Sequence, residues 1–196
     1  MKIAFDENMP ASVVVTLKTI GEQRGFRNHF RGIQIVQARD YTPSLTDSDY
    51  KRKDDGPWIR RFKADGGKVI ISGDVSMPDK PHELLAIQET GLVAFFFPSQ
   101  WNNWKFARKA ALLLIWLNRI IEQSKTAKKG QMFRVPNDWA VDAVLKVINT
   151  PTALRLKETE QAVRTLRPKK ATVRTRKKVS EEPPMMQLMQ RVEVTS

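Results

Sequence analysis

Short, unbroken apolar runs alternate along this chain with longer stretches whose apolar residues recur at helical spacing. Lys2–Phe5 (KIAF) reads as a buried strand. Pro10 stands at a helix start with Asn8 as its cap, and Val13, Val14, Leu17 and Ile20 then form one helical stripe, stopped at Gly25. Residues 32–40 (GIQIVQARD) read as a second strand ending in Asp40, and 41–57 as a long polar surface loop. PWIRRFKADGG predicts a short helix with Trp58, Ile59 and Phe62 on its apolar side. KVIISGD, residues 68–74, is the clearest strand, a β-branched run ending in Gly-Asp. PHELLAIQETG predicts a helix, LVAFFFP (92–98) a fourth strand, and residues 103–123 a long helix that is apolar around much of its circumference. MFRVP adds a short strand, and NDWAVDAVLKVIN a further helix capped by Asn137.

Unbroken apolar strands alternating with helices imply an α/β fold with a central parallel sheet covered by helices on both faces. The division expected is a compact α/β domain over 1–124, a short strand and helix extension over 125–150, and a basic, helical or disordered tail over 151–196. Within that tail RPKKATVRTRKK (167–178) is strongly basic, and MMQLMQRVEV reads as an amphipathic segment that orders on a partner.

Charge sharpens this division. The 196 residues carry a net charge of +13, and residues 125–196 hold 16 Lys and Arg against 7 Asp and Glu. An excess of this size favours a polyanionic partner such as nucleic acid; the plainer reading is a solubilising tail. The chain has no cysteine, which excludes disulfides, thiolate metal sites and cysteine nucleophiles. Acids at positions 6 and 7 stand where the apolar core of a signal peptide would run, and the longest apolar run, 110–117, is too short to cross a bilayer. A cytoplasmic protein without membrane contact is the expectation.

The candidate chemistry lies in the acids. In an open α/β sheet, sites form beyond the carboxyl ends of the strands. Asp6 and Glu7 end the first strand, Asp40 the second and Asp74 the third, while Asp54 and Asp55 open the helix leading into that third strand. Each alone is readily a helix cap or turn residue. Asp6 and Asp74 are different, because each is fused to a strand read as buried, where an unpaired carboxylate is costly. Carboxylates with no Cys or His among them are hard oxygen donors suited to Mg²⁺ or Mn²⁺, and one or two such ions can promote in-line displacement at a phosphodiester. Around them, Asn8 either orients Asp6 or caps the first helix, and Ser72 either binds a ligand or satisfies local backbone. Arg60, Arg61 and Lys63 are candidate phosphate contacts or a solvated face. Trp101 and Trp104 can stack on unpaired bases, though core packing is the commoner use of tryptophan. His29 and His82 are too few and too far apart for acid–base catalysis, and His82 reads as a surface residue.

DENMP after the first strand, the helix start Asp55-Gly-Pro-Trp58-Ile59, and VIISGD together resemble the PIN-like domains, in particular the toxins of VapC type in the branch with an N-terminal DEN motif. The resemblance spans roughly residues 1–120. It implies a central parallel sheet flanked by helices, metal-dependent endoribonuclease activity, and the setting of a bacterial toxin restrained by a cognate antitoxin. By position, Asp6 matches the acid ending the first strand, Asp55 or Asp54 the acid opening the next helix, and Asp74 the acid of the Ser72-Gly73-Asp74 motif. The glutamate that such domains usually add from an intervening helix has no obvious counterpart; Glu7, Asp40, Asp47 and Asp49 are the available substitutes.

The leading expectation is therefore an RNA-cleaving enzyme with RNA and an antitoxin as partners, and with a homodimer made reasonable by apolar surface on the 103–123 helix. The alternative is a non-catalytic nucleic-acid-binding protein with a degenerate PIN-like domain. A phosphatase using a strand-end Asp as nucleophile is disfavoured, because Asp6 lacks a second Asp two residues on.

Overall fold

Alternation within the apolar runs decides which layer each strand serves. In the computed structural model, β1 (Lys2–Phe5) turns Ile3 and Phe5 to one face and Ala4 to the other. The same split recurs in β3 (Gly67–Ser72) and β4 (Val93–Phe96), whose Val69, Ile71, Val93 and Phe95 face one side and Ile70, Ala94 and Phe96 the other. The first face packs on α1 (Ala11–Glu22) and α4 (Phe106–Thr126) through Val13, Leu17, Leu113 and Trp116. The second packs on α2 (Gly56–Ala64) and α3 (Pro81–Thr90) through Ile59, Phe62, Leu84 and Ile87. Both faces are thus buried, as unbroken apolar strands require.

The structure describes residues 1–166 apart from 29, 51, 53, 140–142, 150 and 152. The sheet has six strands in the order β2-β1-β3-β4-β5-β6, where β2 is Gln34–Gln37, β5 Met132–Arg134 and β6 Lys146–Val147. The first five run parallel and β6 pairs antiparallel with β5. Because the chain leaves β1 toward β2 and then returns past it to β3, the winding direction reverses between β1 and β3. A parallel α/β sheet opens its ligand crevice at such a reversal.

Two expectations change. The second strand stops at Gln37, and Ala38–Asp40 form a 3₁₀ turn in which Asp40 Oδ2 accepts the Gln37 N–H at 3.0 Å, so Asp40 serves the chain locally. The helix expected over 137–149 is replaced at Lys146–Val147 by strand pairing, and the Ile148 N–H donates to the Met132 carbonyl. The β-branched run there completes the sheet edge, which outweighs its helical spacing. The start of the tail takes the helical form, one of the two expected: α5 spans Ala153–Leu166, with Leu156 buried in the cluster that includes α2 and α3.

Met1–Thr165 form one compact unit. Residues 125–150 are continuous with this unit, since β5 extends the sheet beside β4. The basic run at 167–178, the MMQLMQRVEV segment and His29 lie outside the described residues.

Candidate active site

Asp6 follows β1 directly, and its N–H continues the ladder to the Ile71 carbonyl at 3.0 Å. This leaves its side chain at the mouth of the crevice between β1 and β3, only 3 % exposed. A buried carboxylate needs donors. Oδ2 receives them from Ser72 Oγ at 2.7 Å and Asn8 Nδ2 at 3.1 Å, and Oδ1 from the Glu7 N–H at 2.6 Å. Asn8 thus orients Asp6; the α1 start has no side-chain cap, so the capping role expected of Asn8 does not arise.

The Ser72 hydroxyl also accepts the Asp74 N–H at 2.9 Å. One hydroxyl therefore ties the acid after β1 to the backbone of the acid after β3. The glycine between is dictated by space: a Cβ on Gly73 would stand 2.7 Å from Trp101 Nε1 and 2.9 Å from the Asn8 carbonyl. Asp74 Oδ1 accepts from the Ser76 N–H and hydroxyl, and Oδ2 from Lys80 Nζ at 2.9 Å. Burial works to raise its pKa, but the Ser76 and Lys80 bonds prevail and hold it below the usual carboxylate range.

The two acids opening α2 divide their labour. Asp54 Oδ1 accepts the Gly56 N–H at 2.9 Å and does the local turn work. Asp55, at the N-cap position, makes no capping bond with its side chain. Its carboxyl is pushed up to about 6, first by burial and then by the charge of Asp6.

Sequence reasoning missed Glu83. It lies in the first turn of α3, is 1 % exposed, and its carboxyl is pushed up to about 8 by burial and by Asp55. Oε1 stands 3.1 Å from Lys80 Nζ, while Oε2 is buried without a hydrogen-bond partner. The signal was present: Glu83, Ala86, Ile87 and Thr90 share one face of α3, so an acid sits on an otherwise apolar stripe. His82, read as a surface residue, has its Nε2 buried without a hydrogen bond, 3.5 Å from Glu83 Oε1 and 4.0 Å from Asp54 Oδ1.

Lys80 is the cation at the centre of the cluster. Burial opposes its charge, but the bonds to Asp74 and Glu83 raise its pKa overall. Glu7 stays at the exposed rim, accepting from Thr42 Oγ1 at 3.3 Å. Beside it a cleft of about 250 Å³ opens between the ends of β1 and β2, lined by Asp6, Glu7, Gln37 and Arg39 among others.

Of the basic residues of α2, Arg60 folds back to the helix start, where its Nη1 and Asp54 Oδ1 each lie 2.9 Å from the place a Cβ on Gly56 would take. At about 1.5 Å of rise per residue, Arg60, Arg61 and Lys63 lie roughly 8–12 Å along α2 from Asp55. Arg60 pairs with Glu89 at 3.3 Å, and Arg61 with Asp47 at 2.8 Å and Asp49 at 2.9 Å. Asp47 and Asp49, named as substitutes for the missing glutamate, are thereby engaged away from Asp6 and Asp74.

A family model described as a PIN like domain matches residues 1–99, just over half of the chain. The chain belongs to the PIN-like domain family. No curated protein and no solved structure matches it. The PIN-like domain is a nuclease-type fold, and in this PIN-like chain the matched span holds Asp6, Asp55, Asp74, Lys80 and Glu83. Among the described residues, no three acidic or imidazole side chains are set at a common point as a closed metal cage. The donor set nonetheless suits a hard divalent cation, since it is all oxygen and Glu83 Oε2 is buried and unpartnered, although Lys80 pairs with Asp74 and Glu83 among them. Among the described residues, no helix is long and apolar enough to cross a membrane.

Proposed function

We propose that this chain is a Mg²⁺- or Mn²⁺-dependent endoribonuclease. The observation that carries the reading is that Asp6, Asp55, Asp74 and Glu83 converge from β1, α2, β3 and α3 at the reversal of the sheet, with Lys80 paired to Asp74 and Glu83. The negative charge of Asp6, Asp55 and Asp74 exceeds that of Lys80, and a divalent cation would balance it.

Asp6, Asp55, Asp74 and Glu83 are the residues that would hold the metal, with Glu7 and Asp54 at the margin. When bound, such an ion supplies Lewis-acid activation of the phosphodiester and of the attacking water. The protein's own groups do the remainder. Ser72 and Asn8 lock Asp6 in one orientation, so little reorganisation is needed when charge develops. Lys80 is placed to neutralise charge on the phosphoryl oxygens. RNA as the substrate is supported by the basic charge of the chain; the toxin setting and an antitoxin partner are supported by the DENMP and Ser-Gly-Asp motifs.

The test compares RNA cleavage with Mn²⁺ and with EDTA, for the wild-type protein and for Asp6→Ala and Asp74→Ala. Cleavage should require metal and be lost in both variants while their circular dichroism stays native. Unchanged cleavage in both would remove the site from consideration.

A second reading, a nucleic-acid-binding protein without catalysis, is favoured by one observation: Lys80 already occupies the space between Asp74 and Glu83. Strand binding without metal-dependent cleavage would select it.

A further inference from the structure

Beyond the end of the matched span, a row of three tryptophans starts at the acids and leads outward. Trp101 is buried, and its Nε1 has no hydrogen-bond partner and lies against Gly73, next to Asp74. Trp104 follows with its ring centre 6.3 Å from that of Trp101, and Trp139 stands 6.4 Å from Trp104, inclined by 32°. Exposure increases along the row, and Trp139 at its end is 39 % exposed. The row thus ends in an aromatic face open to solvent, where a flat ligand can stack.

The charges around the row narrow the ligand class. The Arg108 guanidinium lies 4.1 Å from the Trp104 ring centre and 5.9 Å from that of Trp139, and Lys109 Nζ lies 5.7 Å from that of Trp101. Lys105, Arg108 and Lys109 all fall at the N-terminal end of α4, which has no acid in its first turn. A helix favours the opposite arrangement, because its N-terminus carries partial positive charge. Among the described residues, none of the three pairs with a carboxylate. Flat aromatic faces interleaved with cations match a polymer of flat bases and phosphates whose bases are free to stack.

We propose that Trp104, Arg108 and Trp139 form a stacking platform for the unpaired bases of single-stranded nucleic acid, with Lys105 and Lys109 taking the adjacent phosphates. This rests on the nuclease reading for its purpose, which is to lead a strand from the platform to Asp74. A base stacks on the exposed ring of Trp139, beside the Arg108 guanidinium that lies over Trp104. A duplex presents no free base faces and gains only the phosphate contacts.

The experiment measures binding of a labelled RNA oligonucleotide of about ten nucleotides by fluorescence anisotropy, in EDTA so that nothing is cleaved. A duplex of the same sequence is the comparison. Trp139→Ala should weaken single-strand binding about tenfold and leave duplex binding nearly unchanged. Trp139→Phe should restore most of the loss, and melting curves should show both variants folded. Equal binding by Trp139→Ala and wild type overturns the platform, as does an equal loss for single strand and duplex. The two readings fail separately: metal-dependent cleavage with Trp139 indifferent leaves the nuclease standing, and Trp139-dependent binding without cleavage leaves the platform standing.

Discussion

Ser72 Oγ, itself fully buried, donates to Asp6 Oδ2 at 2.7 Å while accepting the Asp74 N–H at 2.9 Å. Removing that hydroxyl leaves a buried carboxylate oxygen and a backbone N–H each short of a partner. Ser72→Ala should therefore cost about 1–3 kcal/mol of stability, measured by urea denaturation, and should lower cleavage more than substrate binding. Thr at the same position keeps the hydroxyl and should recover part of both.

Glu83 couples stability to pH. Its carboxyl rises from 4.5 to about 8 on folding, so within that window the folded chain holds a proton that the unfolded chain releases. Stability follows the difference in bound protons, and here it falls as pH increases. The contribution is full below the unfolded value and is lost as pH passes the folded one. In EDTA, the melting temperature of the wild-type protein should decline across this range, and that of Glu83→Gln should decline less. A wild-type profile no steeper than that of the variant would show that Glu83 is not held protonated.

Lys80 competes with any divalent ion for the same oxygens. Lys80→Met removes a positive charge bonded to Asp74 and Glu83. Mn²⁺, followed by calorimetry in the absence of RNA, should bind the variant about tenfold more tightly than wild type. The metal-free variant should also melt at lower temperature, because its acids lose their internal counter-ion. Weaker Mn²⁺ binding would instead make Lys80 a support of the metal site.

Much of this arrangement is legible in the sequence because strands buried on both faces have a plain signature. KIAF, KVIIS and VAFF could be little else, and their termini locate Asp6 and Asp74 at one sheet edge. Less was legible where one residue type serves two ends. Asp54 and Asp55 are neighbours with the same chemistry, and only the path of the chain gives the turn to one and leaves the other for the cluster. Glu83 escaped because pairing with Lys80 across one helical turn resembles an ordinary surface ion pair until its burial is seen. The strand at Lys146–Val147 escaped because its pairing partner, Phe133–Arg134, is remote in sequence, and local spacing does not report distant hydrogen bonds.

The strand order has a consequence for how the protein comes into being. Ala4 pairs with Ile70, across an intervening helix, strand, long loop and second helix, so β1 cannot acquire its inner neighbour until that whole stretch has been made. Asp6 precedes its Ser72 donor by 66 positions and the acids at 74 and 83 by still more, so these are made well after it. The acidic centre is thus a late product of long-range closure, formed only when most of the sheet already exists. A nascent or truncated chain ending before β3 contains the DENMP motif but has nothing with which to assemble the site.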